Sequence, residues 1–257
     1  MGMITIIYQG LLNLNSINKI DVLISFPLGA KFHQNPILYT YKQFLKMLHR
    51  LNCVASDCKC NTCTLQKECN YYFLTGDNFN KYPGIFINND LFIKTIYKEN
   101  DELLLTFYMI GKCSIYKEYI SVFVEEYLNH KLATHFFQVK YIRNERLSFD
   151  EQSNQNIHVK TLVEDEQLFN VYNAMICFYN QAYEMNLSTI NGSERYNVKK
   201  QQYPVINLNT KKVNMKGVVY QSTSEEPIPM LWQNIGIGKY NYLGGGKIAF
   251  ENKIESK

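Results

Sequence analysis

Several features are scarce in this sequence of 257 residues. Charged residues make up only 19%, tryptophan occurs once, proline occurs six times, and the net charge is no more than +4. Low charge together with 46% hydrophobic residues excludes an intrinsically disordered chain. The longest apolar run, Leu103 to Ile110, is far shorter than the ~18 residues of a membrane span, and no secretory signal precedes it. We therefore expect a cytoplasmic globular protein with no membrane partner.

The order of predicted elements repeats once along the chain. A buried strand at Ile20 to Phe26 leads to a helix that Asn35 caps and Pro36 begins, since apolar residues then recur at helical spacing. Extended segments and a second helix follow, and a similar order returns in the second half. Extended segments are predicted at 85–88, 91–97, 102–110, 134–149, 157–163, 205–208, 213–220 and 247–251, helices at about 116–128 and 164–183, a polar loop around Asn191 and a turn at 222–227.

This order predicts an α+β protein in which both helices of the first half lie on one side of a sheet. We expect two tandem ferredoxin-like, or RRM-like, units without an internal sequence repeat. The first covers residues 1–132 and carries a cysteine-rich insert at 53–69. The second covers residues 133–257 and carries a glycine-rich loop at 236–247.

Five of the seven cysteines lie within the insert, which favours a reducing compartment and a metal site over a secreted disulfide framework. One Cys-x2-Cys pair is flanked by cysteine on both sides, and four thiolates can close a tetrahedral zinc site. The predicted ligands are Cys53, Cys60, Cys63 and Cys69, which leaves Cys58 spare because a single residue separates it from Cys60. Free thiols in a loop without metal are the alternative, and the spacing matches no ferredoxin-type iron–sulfur pattern.

The glycine-rich loop, Gly236 to Lys247, holds five of the thirteen glycines. It fits neither the Walker pattern nor the dinucleotide fingerprint, since Asn241 occupies a position where each requires glycine. A backbone with few Cβ atoms, flanked by Lys239 and Lys247, can approach a sugar–phosphate chain and donate amide hydrogen bonds. The alternative is a flexible structural loop.

Two motifs together resemble the CRISPR-associated pre-crRNA-processing endoribonucleases of the RAMP superfamily. The first is Arg50-Leu-x-Cys, followed by Cys60-x2-Cys-x5-Cys-x-Tyr71, after the first helix. The second is Gly236-Ile-Gly-Lys-x4-Gly-x-Gly-Lys247 near the end. Between them the resemblance covers element order alone, and the first helix begins Gln34-Asn-Pro-Ile-Leu38 where the family often has glycine and arginine. The resemblance implies two tandem ferredoxin-like domains.

The resemblance also implies a reaction and its partners. A 2′-OH attacks the adjacent phosphorus of CRISPR repeat RNA, which leaves a 2′,3′-cyclic phosphate and a 5′-OH without a catalytic metal. The expected partners are repeat RNA or crRNA and subunits of a CRISPR effector complex, and no small-molecule cofactor is expected. A proton acceptor, a proton donor and a cation are the chemical requirements.

Histidine suits the proton transfers best, and catalytic histidines of the family usually lie near the first helix. His33 precedes the cap of that helix and has Lys31 beside it, where the amino end of a helix attracts phosphate. His49 is the second candidate, but it lies roughly 20 Å further along the helix, so both cannot serve one phosphate. Tyr39 is a weaker helper. His130, His135 and His158 suit structural roles.

Basic residues on the first helix, in a later lysine-rich stretch and in the glycine-rich loop are the predicted RNA contacts. They are Lys42, Lys46, Arg50, Lys199, Lys200, Lys211, Lys212, Gly236, Gly238, Lys239, Gly244, Gly246 and Lys247. The lysine-rich stretch could equally form a solvated hairpin face. Two rival functions remain at this point: a non-catalytic RAMP subunit that only binds guide RNA, and a zinc-bearing regulator of another kind.

Overall fold

The computed structural model describes residues 16–54, 59–76, 81–90, 93–149, 153–164, 167–191, 193–206 and 212–250. Lys211 and Cys58 lie outside the described residues, as do Leu91 and Phe92 of the second extended segment. Two four-stranded sheets form the framework, and each carries helices.

The first sheet contains β1 (Ser16–Phe26), β3 (Ile85–Ile87), β5 (Asp101–Ile110) and β8 (Gln138–Ser148) in the order β3-β5-β1-β8. All its neighbours are antiparallel. Numbered along the chain, its strands run 2-3-1-4 across the sheet, which is the ferredoxin-like arrangement. Most of β1 is buried: Ile20, Val22, Ile24 and Phe26 alternate along one face, and Asp21 and Ser25 of the other face are buried as well.

The first helix, α1 (Pro36–Asn52), begins where the sequence predicts. The Asn35 side chain accepts hydrogen bonds from the amides of Ile37 and Leu38, and Pro36 occupies the first turn. Phe44 of α1 packs edge-on against Phe107 of β5 and against Phe123, with ring centroids 5.4 Å and 5.2 Å apart. Both helical segments of the first half therefore lie on the same side of the sheet, as expected.

The second helical segment is less regular than its apolar stripe predicts. A 3₁₀ segment at Gly111–Tyr116 leads to a short helix, α3 (Glu118–Val122), and then to a π-helical turn at Phe123–Tyr127. Ile120, Phe123 and Val124 are nevertheless fully buried. Packing thus follows the predicted stripe, while the hydrogen-bonding pattern changes along it.

The second sheet repeats the topology of the first. It contains β9 (Ser153–Val159), β10 (Ser193–Ile206), β11 (Lys212–Pro229) and β12 (Ile248–Phe250) in the order β10-β11-β9-β12, again 2-3-1-4. The helix α4 (Leu168–Tyr183) connects its first two strands and buries one face of the helix. The short helix α5 (Trp232–Ile235) precedes the glycine-rich loop. The α+β, double ferredoxin-like fold is confirmed.

One detail of the sequence prediction needs correction, and a second observation bears on the predicted boundary between the two units. Much of the predicted polar loop and the turn at 222–227 belongs to the long antiparallel pair of β10 and β11. In addition, β8, which the sequence placed in the second unit, pairs with β1 along its length. The chain therefore belongs to the first sheet up to Ser148 and to the second sheet from Ser153. The division into folding units at residue 132 stays a prediction.

Shorter elements complete the described chain. They are β2 (Ala30–Lys31) paired with β4 (Ile96–Tyr97), β6 (Lys131–Leu132) paired with β7 (His135–Phe136), α2 (Asn70–Leu74) and 3₁₀ turns at Cys60–Thr62, Gln66–Glu68 and Asn241–Leu243. Among the helices described, none is long and apolar enough to cross a bilayer.

Candidate functional site

His33 lies exposed in a short loop between β2 and α1 that is anchored at both ends. Before it, Phe32 is buried against the rings of Phe26 and Tyr97, and its amide donates to the carbonyl of Thr95 at 2.8 Å. After it, Asn35 caps the helix. The imidazole of His33 is therefore presented to solvent from a backbone that is fixed on either side.

A polar segment, Asn88 to Asp90, connects this loop with the second half of the molecule. Asn89 is 2% exposed, and its side-chain oxygen accepts from Asn35 Nδ2 at 2.8 Å. Its own Nδ2 donates to the carbonyl of Leu243 at 3.1 Å. The start of α1 and the glycine-rich loop thus meet at one buried side chain.

The glycine-rich loop is held by hydrogen bonds within itself and to neighbouring segments of the protein. Gly246 adopts a φ of +67°, and a Cβ atom there would overlap the carbonyl oxygen of Ile237. At Gly238 a Cβ atom would overlap the carboxylate of Glu164. The glycine amides already have acceptors inside the protein: Trp232 O for Gly236, Met175 Sδ for Gly238, Asn241 O for Gly244, Tyr240 O for Gly245 and Leu162 O for Gly246.

The sequence analysis explained the glycines by close approach of RNA to the loop backbone, and the structure gives a different reason. They allow the chain to fold back on itself, since the space beside them is occupied by protein atoms and their amides are already paired. Substituting Gly238 or Gly246 is therefore expected to disturb the loop itself before it disturbs any ligand. The predicted RNA contacts at Gly236, Gly238, Gly244 and Gly246 stay predictions about the loop surface.

The two lysines of the loop have different surroundings. Lys239 is exposed, its Nζ lies 5.2 Å from the centre of the Tyr240 ring, and its amide donates to Glu164 Oε1 at 3.0 Å. Lys247 is partly buried, and its Nζ donates to Asn88 Oδ1 and to the carbonyl of Asn234. Lys239 is thus the loop lysine available to an external phosphate, whereas Lys247 joins the two halves.

Burial lowers the pKa of Lys247 to about 8, and the nearby carboxylate of Asp90 only partly opposes this. In the unfolded chain the pKa returns to about 10.5, so between pH 8 and 10.5 the unfolded state binds more protons than the folded state. Stability should therefore rise with pH in this window, because the cost of burying the charge is fully present below pH 8 and is relieved above it.

We predict that wild type gains stability relative to Lys247→Met as the pH rises from 8 to 10, by up to about 1.4 kcal/mol per pH unit. Urea unfolding of both proteins at several pH values measures the difference. Lys239→Met is the matched control, because that side chain is exposed on the same loop. Parallel curves for wild type and Lys247→Met would contradict the prediction.

Lysines of β10 and β11, the antiparallel pair that forms the long hairpin, lie near the same loop. An open pocket of about 570 Å³ is lined by Lys200 and Lys216 together with Glu164, whose carboxylate also holds the amide of Lys239. Lys199 is exposed next to Lys200 on β10. The side chain of Lys212 lies outside the described part of the chain, as does all of Lys211. The hairpin therefore brings cationic groups to the neighbourhood of the glycine-rich loop.

The residues of the predicted basic face of α1 differ in their exposure. Lys46 and Arg50 are exposed, whereas Lys42 and Tyr39 are half-buried. His49 contacts the ring of Tyr71 edge-on, with ring centres 4.9 Å apart, and lines a small cavity beside the cysteines. The structure thus places His49 at the cysteine insert and away from the loop that carries His33.

The four predicted ligands line that one cavity, whose volume of about 20 Å³ suits a single small ion or water. They are Cys53, Cys60, Cys63 and Cys69, and none of them forms a disulfide. The donor set is the soft one that zinc prefers. Within the residues described, however, no three cysteine, histidine or acidic side chains are yet close enough together to hold a metal ion. The residues fit zinc in type and location, and binding would require them to close further.

The sequence reasoning missed the Asn88 to Asp90 segment. Its signal was a run of three polar residues directly after a buried strand, where a chain usually turns into solvent. His135, for which the sequence predicts a structural role, lies next to the His33 loop, with its Nε2 2.9 Å from the carbonyl oxygen of Lys31.

No protein-family model and no curated protein sequence matches the chain. The fold and the site define an α+β protein of two ferredoxin-like units, and the solved structures with a similar fold include Cas6 and Cas6-related CRISPR-associated proteins.

A Cas6 product complex is similar with a TM-score of 0.52 at 10% identity, over 91% of this chain and 99% of that one. A Cas6-related protein from Pyrococcus furiosus has a TM-score of 0.51 at 13% identity, over 92% and 99% of the chains. A second Cas6 product complex has a TM-score of 0.51 at 9% identity, over 91% and 100%. At such low identities the similarity establishes the fold.

Proposed function

We propose that this protein is an endoribonuclease that binds CRISPR repeat RNA and processes precursor crRNA. One observation carries the proposal: an exposed histidine, His33, lies on a loop fixed at both ends, and that loop is joined through Asn89 to a glycine-rich loop bearing Lys239. The fold shared with Cas6 product complexes supports repeat RNA as the substrate class.

The proposed reaction is attack of a ribose 2′-OH on the adjacent phosphorus. The P–O5′ bond breaks as the P–O2′ bond forms, so the products are a 2′,3′-cyclic phosphate and a 5′-OH, and no water is consumed. His33 transfers a proton in this step, either from the 2′-OH or to the leaving 5′ oxygen. Lys31, which is exposed two residues earlier, is the proposed cation for the phosphorane.

The test uses 5′-labelled CRISPR repeat RNAs incubated with the protein and excess EDTA. Cleavage should persist, and the products should carry a cyclic phosphate and a 5′-OH. A 2′-deoxy nucleotide at the cut position should abolish cleavage and leave binding intact, because it removes only the nucleophile. Binding without cleavage of any repeat would assign the protein to the non-catalytic RAMP subunits. Cleavage that EDTA abolishes in folded protein would indicate a catalytic metal.

We predict that Lys239→Ala weakens repeat RNA binding and reduces the slope of log Kd against log salt by about one. The exposed ammonium of Lys239 would contact a phosphate and release about one counterion. Lys67→Ala, which removes a lysine that is also exposed but lies in the cysteine insert, is the control and should change the slope less. Equal slopes for Lys239→Ala and wild type would remove this lysine from the RNA interface.

We also propose that the cysteine insert is a structural zinc site held by Cys53, Cys60, Cys63 and Cys69. The support is their shared cavity and their sulfur donors. The metal would stabilise the insert and would take no part in the cleavage chemistry, since the insert is at the opposite end of α1 from His33.

A further inference from the structure

We infer that Asn89 is a positioning residue that holds the His33 loop and the glycine-rich loop in register across the two halves of the molecule. The inference rests on the proposed function, because it explains how RNA bound by one half is presented to the histidine of the other. Asn89 itself is buried and would not touch the RNA.

The contacts of Asn89 use both ends of its amide. Its oxygen accepts from Asn35 Nδ2 at 2.8 Å, and its nitrogen donates to Leu243 O at 3.1 Å. Because an amide offers its acceptor and its donors from different atoms, only one orientation of Asn89 satisfies both neighbours. At 2% exposure, water cannot readily replace either bond, so the pairing is strongly specified.

Asn35 carries the connection onward to the helix. Its oxygen accepts from the amides of Ile37 and Leu38, while its nitrogen donates to Asn89 and, at 3.1 Å, to the carbonyl of Asp90. One side chain therefore both caps α1 and binds the Asn88 to Asp90 segment. The position of the helix start, and of His33 two residues before the cap, is thereby tied to Leu243.

The far end of the connection is equally fixed. Leu243 lies in the 3₁₀ turn of the glycine-rich loop, and the neighbouring Gly246 amide donates to Leu162 O in the second half. Next to Asn89, the Oδ1 of Asn88 accepts a hydrogen bond from the Lys247 ammonium. Consecutive residues of one short segment thus attach the His33 loop to the loop that would hold the RNA backbone.

This geometry matters for the rate because proton transfer needs the reacting atoms within hydrogen-bond distance. A displacement of about 1 Å can cost about 100-fold in rate without a comparable loss of binding. Removing the Asn89 amide leaves the Leu243 carbonyl and one Asn35 donor without their partners, and the two loops can then shift relative to each other.

The experiment compares Asn89→Ala and Asn35→Asp with wild type in single-turnover cleavage at saturating protein, with RNA affinity measured separately. Asn35→Asp keeps an oxygen to cap the helix but loses the donor to Asn89. Each variant should lose about 10- to 100-fold in rate and little in affinity. The double variant should be about as slow as the slower single variant, because the two residues act as one unit.

The matched control is Asn173→Ala. Asn173 is a partly buried asparagine of α4 that likewise bridges to another segment, the backbone of Ile190. This variant should lose stability and keep its cleavage rate. An unchanged rate in folded Asn89→Ala, additive losses in the double variant, or a loss confined to affinity would each overturn the positioning role.

Hydrogen exchange without RNA separates this inference from the proposed function. Asn89→Ala should increase exchange at the Ile37 and Leu38 amides and also at those of Gly245 and Gly246, whereas Asn173→Ala should increase neither. If wild type cleaves no repeat RNA, the proposed function fails, and this measurement still shows whether Asn89 connects the His33 loop to the glycine-rich loop. An increase on one side only would show that Asn89 does not connect the two loops.

Discussion

His33→Ala is expected to bind repeat RNA about as tightly as wild type and to lose at least roughly 100-fold in cleavage rate. A group that transfers a proton in the transition state typically contributes 10² to 10⁴-fold to rate and little to ground-state binding. The side chain is exposed, and the fixed points of its loop are Phe32 and Asn35, so its removal should leave the fold intact. Single-turnover cleavage and an equilibrium binding assay measure the two quantities.

His49→Ala is the matched comparison, since it removes a histidine from the same helical region. Because His49 lines the cysteine cavity, this variant should keep most of the rate and lose stability in the insert. The reverse pattern, with His49→Ala slow and His33→Ala active, would assign the catalytic role to His49. If both variants cleave like wild type, tyrosine or lysine side chains must carry the proton transfers.

The parts of the fold that could be predicted from sequence are those that local signals determine. The start of α1 follows from Asn35 and Pro36, and β1 follows from a buried run bounded by turn residues. The double ferredoxin-like arrangement follows from element order, since a strand–helix–strand–strand order in each half leaves few ways to pair four strands. These signals depend on residues close together in the chain.

The long hairpin could not be predicted in the same way. Its strand β10 is largely polar, with the run Lys199-Lys-Gln-Gln202, which favours a loop when read alone, and it includes Pro204. Pairing with β11 supplies the hydrogen bonds that the composition does not suggest, and β10 is an edge strand, where proline is tolerated. Tertiary pairing therefore overrides local propensity here.

The sequence analysis named candidate site residues one by one, and their roles stay predictions, but it could not show how they are arranged. His33 and Lys239 are exposed, as contact with RNA would require. Lys247 instead donates a hydrogen bond to Asn88, and the glycines allow the chain to fold back on itself. Asn89 and Leu243 are separated by 154 positions, so no local pattern connects them. A contact of that kind becomes visible only when both sheets are in place.

We expect purified, reduced protein to contain about one zinc per chain, and Cys63→Ser to lose it. A structural zinc ion contributes folding free energy directly, on the order of 10 kcal/mol in small zinc-binding peptides. Loss of the metal should therefore lower the melting temperature and expose the insert to protease, while 2′-OH cleavage by the remaining folded protein persists. Elemental analysis and limited proteolysis measure these effects.

Cys177→Ser is the control, because Cys177 is an exposed cysteine of α4 outside the insert and its loss should change neither zinc content nor stability. His49→Ala provides a second comparison: its imidazole lines the cavity, so retention of zinc in this variant would confine the ligands to the four sulfurs. Reduced wild-type protein without any bound metal would overturn the zinc site. The insert would then have to be stabilised by packing alone, with four thiols around a cavity large enough for one water molecule.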